Sequence, residues 1–121
     1  MKIIKTLQVV AEMPEYIRQA KLCMDEQSRV SFINYIAEYP LEGDLITGTG
    51  GARKIRWTSD INQGKRGGAR IIYYYHNQKI PIFLFTAYGK SQKANISASE
   101  KGILKTIINA IVNAYGESSH E

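Results

Sequence analysis

Lys54 and Arg56 stand two residues apart in the run Arg53-Lys54-Ile55-Arg56-Trp57. Apolar and basic residues alternate there, so a β-strand would turn Lys54 and Arg56 to one face and Ile55 and Trp57 to the other. Arg70 opens a second β-like run directly after Lys65, Arg66, Gly67 and Gly68, and Lys90 and Lys93 follow the end of a third. If the three runs are neighbouring antiparallel strands, these cations converge on a positive groove. Such a groove suits phosphate chemistry on RNA without a metal, because the RNA's own 2′-hydroxyl can attack the adjacent phosphorus. The protein then has to take a proton from that hydroxyl, stabilise the added negative charge and protonate the leaving 5′ oxygen. Preorganised Arg and Lys do the second task, and a lysine set among other cations can do the first. The catalytic candidates are therefore Lys54, Arg56, Arg70 and Lys90. Arg53, Lys65, Arg66 and Lys93 are candidates for holding the RNA backbone, and Tyr73 and Tyr88 for stacking on a base or donating a proton.

Other chemistries find no support. One cysteine, Cys23, and two distant histidines, His76 and His120, make no zinc site. The glycines of Thr47 to Gly51 are not followed by a helix, and no G-x-x-x-x-G-K-[ST] is present, so a nucleotide-binding phosphate loop is not indicated. No Ser-His-Asp arrangement can be argued. His76, at a strand end, reads as a packing or solvent-facing residue, and Tyr74 and Tyr75 as core. No metal or other cofactor is expected.

The charge distribution agrees with a polyanionic partner. The net charge is +5, yet residues 1–51 carry five Lys/Arg against seven acids, and residues 94–121 carry Lys101 and Lys105 against three. The whole excess lies in residues 52–93, where nine Lys/Arg face Asp60 alone. Charge segregated in this way is the footprint of a nucleic-acid binder. With 121 residues, 44% of them hydrophobic, the chain is expected to form one domain, residues 1–121, with one core. No apolar run reaches the ~20 residues of a membrane span. The basic, partly apolar start, interrupted by Lys5 and Gln8 and lacking a small-residue cleavage site, does not read as a signal peptide. A cytoplasmic protein with no membrane partner is expected.

The elements that must position these residues can be read in order. Ile3 to Val10 reads as a strand or extended arm. Pro14 suits the first turn of a helix containing Ile17, Ala20 and Met24, with Cys23 a small hydrophobe near its end. Asp25 can cap a second helix whose stripe is Val30, Ile33 and Ala37, flanked by Phe32 and Ile36 and stopped by Pro40. Leu41 to Gly51 and Thr58 to Gly68 read as loops. Ala69 to Tyr75 and Ile80 to Tyr88 are nearly continuous in β-branched and aromatic residues, which predicts central strands joined at Asn77-Gln78, with Pro81 at a strand start or edge. Ser97 and Glu100 form a capping box, followed by an apolar stripe from Ile103 to Tyr115 and a terminating Gly116. The predicted fold is α+β, ordered β-α-α-β-β-β-α: an antiparallel sheet with an N-terminal helical hairpin and a C-terminal helix, the helices on one face.

Residues 48–95 read GTGGARKIRWTSDINQGKRGGARIIYYYHNQKIPIFLFTAYGKSQKAN. This stretch resembles the RelE/ParE toxin superfamily, and within it the HigB-like branch. Its pattern is G-T-G-G-x-R-K-x-R, then G-K-x-G-G-x-R-[IV]-I-Y-Y, then a hydrophobic strand ending T-x-Y-x-K. The resemblance implies the RelE-like fold and a type II toxin that enters the ribosomal A site and cleaves messenger RNA during translation. It also implies a cognate antitoxin, for this branch usually a HigA-like helix-turn-helix protein. By motif position Lys54 and Arg56 match the family's basic pair, Arg70 its arginine after the glycine turn, and Lys90, with Lys93 beside it, its basic residue after the last strand. The chain departs from the pattern in one place. Some RelE-type enzymes carry a base-stacking tyrosine just before or within the C-terminal helix. Residues 91–102 contain none, which leaves Tyr88 or Tyr73 for that role. Two other functions fit the same fold: a ParE-like inhibitor of DNA gyrase, against which the basic segment argues, and a non-catalytic relative that only binds RNA or an antitoxin.

Overall fold

The computed structural model describes residues 7–58, 68–89 and 95–116. The order is β1 (Val10–Glu12), α1 (Pro14–Cys23), α2 (Glu26–Glu38), β2 (Asp44–Leu45), β3 (Arg53–Trp57), β4 (Ala69–Tyr74), β5 (Ile82–Gly89) and α3 (Ala98–Ala114). One five-stranded sheet has the order β1-β5-β4-β3-β2, which makes the α+β class plain. The local signals act where they were read. Pro14 opens α1, the Asp25 carboxylate accepts from the Ser28 N–H at 2.8 Å, and Ser97 and Glu100 cap α3 reciprocally. Asn77 makes the turn between β4 and β5, its Oδ1 accepting from the N–H groups of Lys79 and Ile80. Gly116, at φ +74°, follows the end of α3.

Four features depart from the expectation. The sheet is mixed, because β1 runs parallel to β5, with Val10 beside Ile82. The first strand lies at residues 10–12, later than expected, and residues 1–6 are outside the described part. The loop from Leu41 to Gly51 contains the short β2, paired antiparallel with β3. The helices cover both faces of the sheet, not the one face expected. On one face Tyr16 and Ala20 of α1 and Phe32 and Ile36 of α2 pack on Ile71, Tyr73, Ile82 and Leu84. On the other, Leu104, Ile108 and Val112 of α3 pack on Ile72, Tyr74 and Phe85. A strand covered on both faces is apolar at successive positions, as β4 and β5 are.

Packing also shifts the predicted stripe of α2. Ser28, Phe32, Ile36 and Ala37 are its buried residues, while Val30 is half exposed. Trp57 of β3 fixes that rotation, meeting the Phe32 ring edge-on at 5.4 Å and donating its indole N–H to the Ser28 carbonyl at 3.2 Å. Gln8 ties the chain start to the β4–β5 turn, its amide donating to the carbonyls of Asn77 and Ile80.

Two fully buried tyrosines on this side differ in their hydroxyls. The Tyr73 hydroxyl accepts from the Gly43 N–H at 2.8 Å and donates to the Pro40 carbonyl at 2.9 Å. The Tyr16 hydroxyl has no hydrogen-bond partner among the described residues. Tyr73→Phe is expected to cost about 1–3 kcal/mol by orphaning the Gly43 N–H, whereas Tyr16→Phe should leave stability unchanged or raised. Burial pushes both phenols above their usual range, with the Glu12 charge adding to the effect on Tyr16. The unfolded chain ionises its tyrosines near about pH 10, so the stability these groups hold is intact below that pH. It is lost as pH rises toward the folded-state values. Melting temperatures followed into alkali should fall, and fall less for Tyr16→Phe; an equal fall in both would show that Tyr16 ionises freely in the folded protein.

Candidate nucleic-acid interface

Pairing of β3, β4 and β5 sets the candidate side chains in rows. Arg56 lies opposite Arg70, and Arg70 opposite Tyr88, so the three form one row across the strands. Lys54, Ile72 and Thr86 form the next row on the same face, about 7 Å away along the strands. Both rows lie on the face that α3 covers. Ile55 and Trp57 point to the opposite face, where they join the core under α1 and α2.

Gly68 sets the start of this arrangement. It adopts φ +63°, a left-handed conformation that favours glycine, and a Cβ there would fall 2.2 Å from the Trp57 carbonyl oxygen. The chain can therefore turn against the end of β3 and enter β4 with Arg70 beside Arg56.

Asp44 is the cross-strand neighbour of Lys54, and the ion pairs of Arg18 with Glu15 and of Arg29 with Glu12 lie away from these rows. Arg56 is exposed and Lys54 half-buried.

The structure brings Lys54, Arg56, Arg70 and Tyr88 together and separates other candidates from them. Arg53 lies on the opposite face in register with Tyr73. Its guanidinium donates to the carbonyls of Gly43 and Leu41, at 2.7 and 3.3 Å, so it braces the loop before β2. Tyr73 is fully buried with its hydroxyl engaged, and it cannot serve as a stacking platform. Tyr88 is on the right face but only 4% exposed, packed in the cluster under α3, so its ring is not offered to a base as the protein stands. Tyr74 is core, its hydroxyl 2.7 Å from His76 Nδ1, and His76 is half-buried against it. Lys65, Arg66, Lys90 and Lys93 lie outside the described residues.

Tyr88 also marks a boundary. On its far side a cavity of about 570 Å³ opens between α3, β5 and the start of α1, lined by Met13, Phe85, Tyr88, Ile96, Ile103 and Ile107 among others, with no Lys or Arg in its wall. The basic rows lie on the β3 side of α3 and this apolar cavity on the α1 side. Among the described residues no group of three His, Cys, Asp or Glu is placed to hold a metal ion. Lys101 and Lys105 of α3 also lie on this face, and in the sequence they figure only in the charge balance. No known family model matches the chain.

Gly68→Ala tests the geometry of the row. It should destabilise the protein by at least about 1–2 kcal/mol in denaturant unfolding, from left-handed strain alone. Unfolding at wild-type denaturant would mean that the turn into Arg70 has another conformation.

Proposed function

We propose that the protein is the toxin of a type II toxin–antitoxin pair, a ribosome-dependent endoribonuclease of the RelE/ParE kind. The observation that carries this reading is the register that sets Arg56 beside Arg70, with Lys54 one row along. Two guanidiniums side by side can hold the non-bridging oxygens of one phosphate, where charge builds as the reaction proceeds. The motif blocks at residues 48–95 and the segregated basic charge support the same reading.

In this mechanism the 2′-oxygen attacks the adjacent phosphorus and loses its proton, and a bond forms between them. The bond from phosphorus to the 5′ oxygen breaks and that oxygen takes up a proton, so that one proton moves in net from the 2′ to the 5′ oxygen and the products are a 2′,3′-cyclic phosphate and a 5′-hydroxyl. Arg56 and Arg70 neutralise the pentacoordinate phosphate, and Lys54 lies on the flank where the reacting oxygens would sit. No oxidant, metal or second substrate enters the balance. The ribosomal A site would supply the extended messenger and exclude water from it. The partner protein is an antitoxin, expected to be a HigA-like helix-turn-helix protein.

Inducible expression in bacteria, with the 5′ ends of a reporter transcript mapped in forms with and without a start codon, tests this reading. Cuts confined to the translated form, together with growth arrest, are expected. Arrest without cuts would point to gyrase instead, and neither effect to a binding module. Arg70→Ala should reduce cutting by roughly a hundredfold or more while leaving the melting temperature close to wild type. Full cutting by that variant at equal expression would move the active site elsewhere.

A further inference from the structure

Lys101 and Lys105 lie one turn apart on the flank of α3 that meets the loop leading into β3. A Cβ placed on Gly48 would sit 3.6 Å from Lys101 Cδ, and one on Gly50 would sit 3.4 Å from Lys105 Cγ. The two hydrocarbon stems therefore lie along bare glycine backbone, which leaves the ammonium groups to extend past it. The loop is held firmly. Thr49 is fully buried, its hydroxyl donating to the Ile46 carbonyl at 2.7 Å and accepting from the Ala52 N–H at 2.9 Å, and the Ile46 N–H donates to the Ala52 carbonyl.

The charges on this flank are not balanced by the helix. Like charges four residues apart repel by about 0.2–0.5 kcal/mol. The other positions three or four residues from either lysine hold Ser97, Ala98, Gly102, Leu104, Ile108 and Asn109, none of them acidic. Glu100, one residue before Lys101, belongs to the capping box with Ser97 and lines the apolar cavity on the opposite flank. No ion pair among the described residues engages either lysine.

The flank and the basic rows lie on the same face of the sheet, the one α3 covers. Ile96 and Glu100, at the start of α3, line the same cavity as Tyr88, and Tyr115, just past its end, meets Phe83 with ring centroids 6.4 Å apart. The helix thus runs back along β5 from the level of Tyr88 toward Phe83, with Lys101 one turn nearer the Tyr88 end than Lys105.

We infer that Lys101 and Lys105, propped on the glycine loop, bind backbone phosphates of the same RNA strand whose reacting phosphate lies over Arg56 and Arg70. The inference rests on the ribonuclease reading and adds a second subsite to it: the loop and α3 hold the strand in line while the arginine row acts on it.

The test is the salt dependence of binding to a short single-stranded RNA carrying 2′-O-methyl riboses, which cannot be cut. Fluorescence anisotropy over rising potassium chloride gives the slope of log affinity against log salt. Each phosphate contact contributes about 0.7 to that slope for a single strand. Lys101→Gln with Lys105→Gln should lower it by about 1.4, and Arg56→Gln with Arg70→Gln by a similar amount. Lys101→Arg with Lys105→Arg should retain it. Circular dichroism melting checks the fold, and if the double glutamine variant does not fold, Lys105→Gln alone, at an exposed position, should show half the change. An unchanged slope for the lysine variants beside a lowered one for the arginine pair would overturn the second subsite alone. No binding by the wild type, or no change for either pair, would overturn both this subsite and the RNA reading.

Discussion

Everything on the α3 face depends on which way each residue of β4 points. Ile71 and Tyr73 are committed to the helical hairpin and Ile72 and Tyr74 to α3, so the strand cannot slip by one residue without exchanging two cores. Arg70 is fixed by the same parity, and its place beside Arg56 follows from it. The partner strand β5 needs a correction to comply. Opposite Ile72 and Tyr73 stand Thr86 and Leu84, which leaves Phe85 as an extra residue, a β-bulge. The bulge lets Ile82 and Leu84 face the hairpin while Tyr88, further along, stays in the row of Arg70. Two cores of unequal shape are thereby served by one strand.

The sheet also divides the molecule electrically. Residues 10–38, β1 and the helical hairpin, carry five of the eleven acids, Glu12, Glu15, Asp25, Glu26 and Glu38, against Arg18, Lys21 and Arg29, while Lys54, Arg56, Arg70, Lys101 and Lys105 lie on the α3 side. A protein charged in this way turns as it approaches a polyanion, and presents the same face at each encounter. Orientation of this kind matters most for a binder whose target is enclosed in a narrow site.

Much of this was legible in the sequence where a single residue decides a local event. Pro14, Asp25, Asn77 and the Ser97–Glu100 pair each act within a few residues of themselves, and each does what its chemistry predicts. The rows of cations were legible from alternation, since Lys54 and Arg56 share a parity. The same alternation already set Arg53 on the other face, and pairing then carried Tyr73 with it. Strand partners are long-range choices, and neither the parallel docking of β1 nor the two-residue β2 has a local signature. The bulge was hidden because Ile82 to Phe85 is apolar at every position, so no pattern marks a change of parity there. That unbroken apolarity did carry a message, that helices cover both faces of the sheet.

The parallel pairing of β1 with β5 bears on the order in which the chain can assemble. Val10 meets Ile82, and the Gln8 side chain bonds the carbonyls of Asn77 and Ile80, so the start of the chain waits for a strand made much later. During synthesis the helical hairpin emerges first, with the apolar faces of Tyr16, Phe32 and Ile36 uncovered until β4 and β5 arrive. The nascent chain thus passes through a stage in which half of its interior is open to other proteins, and rapid closure of the β3–β4–β5 meander ends that exposure.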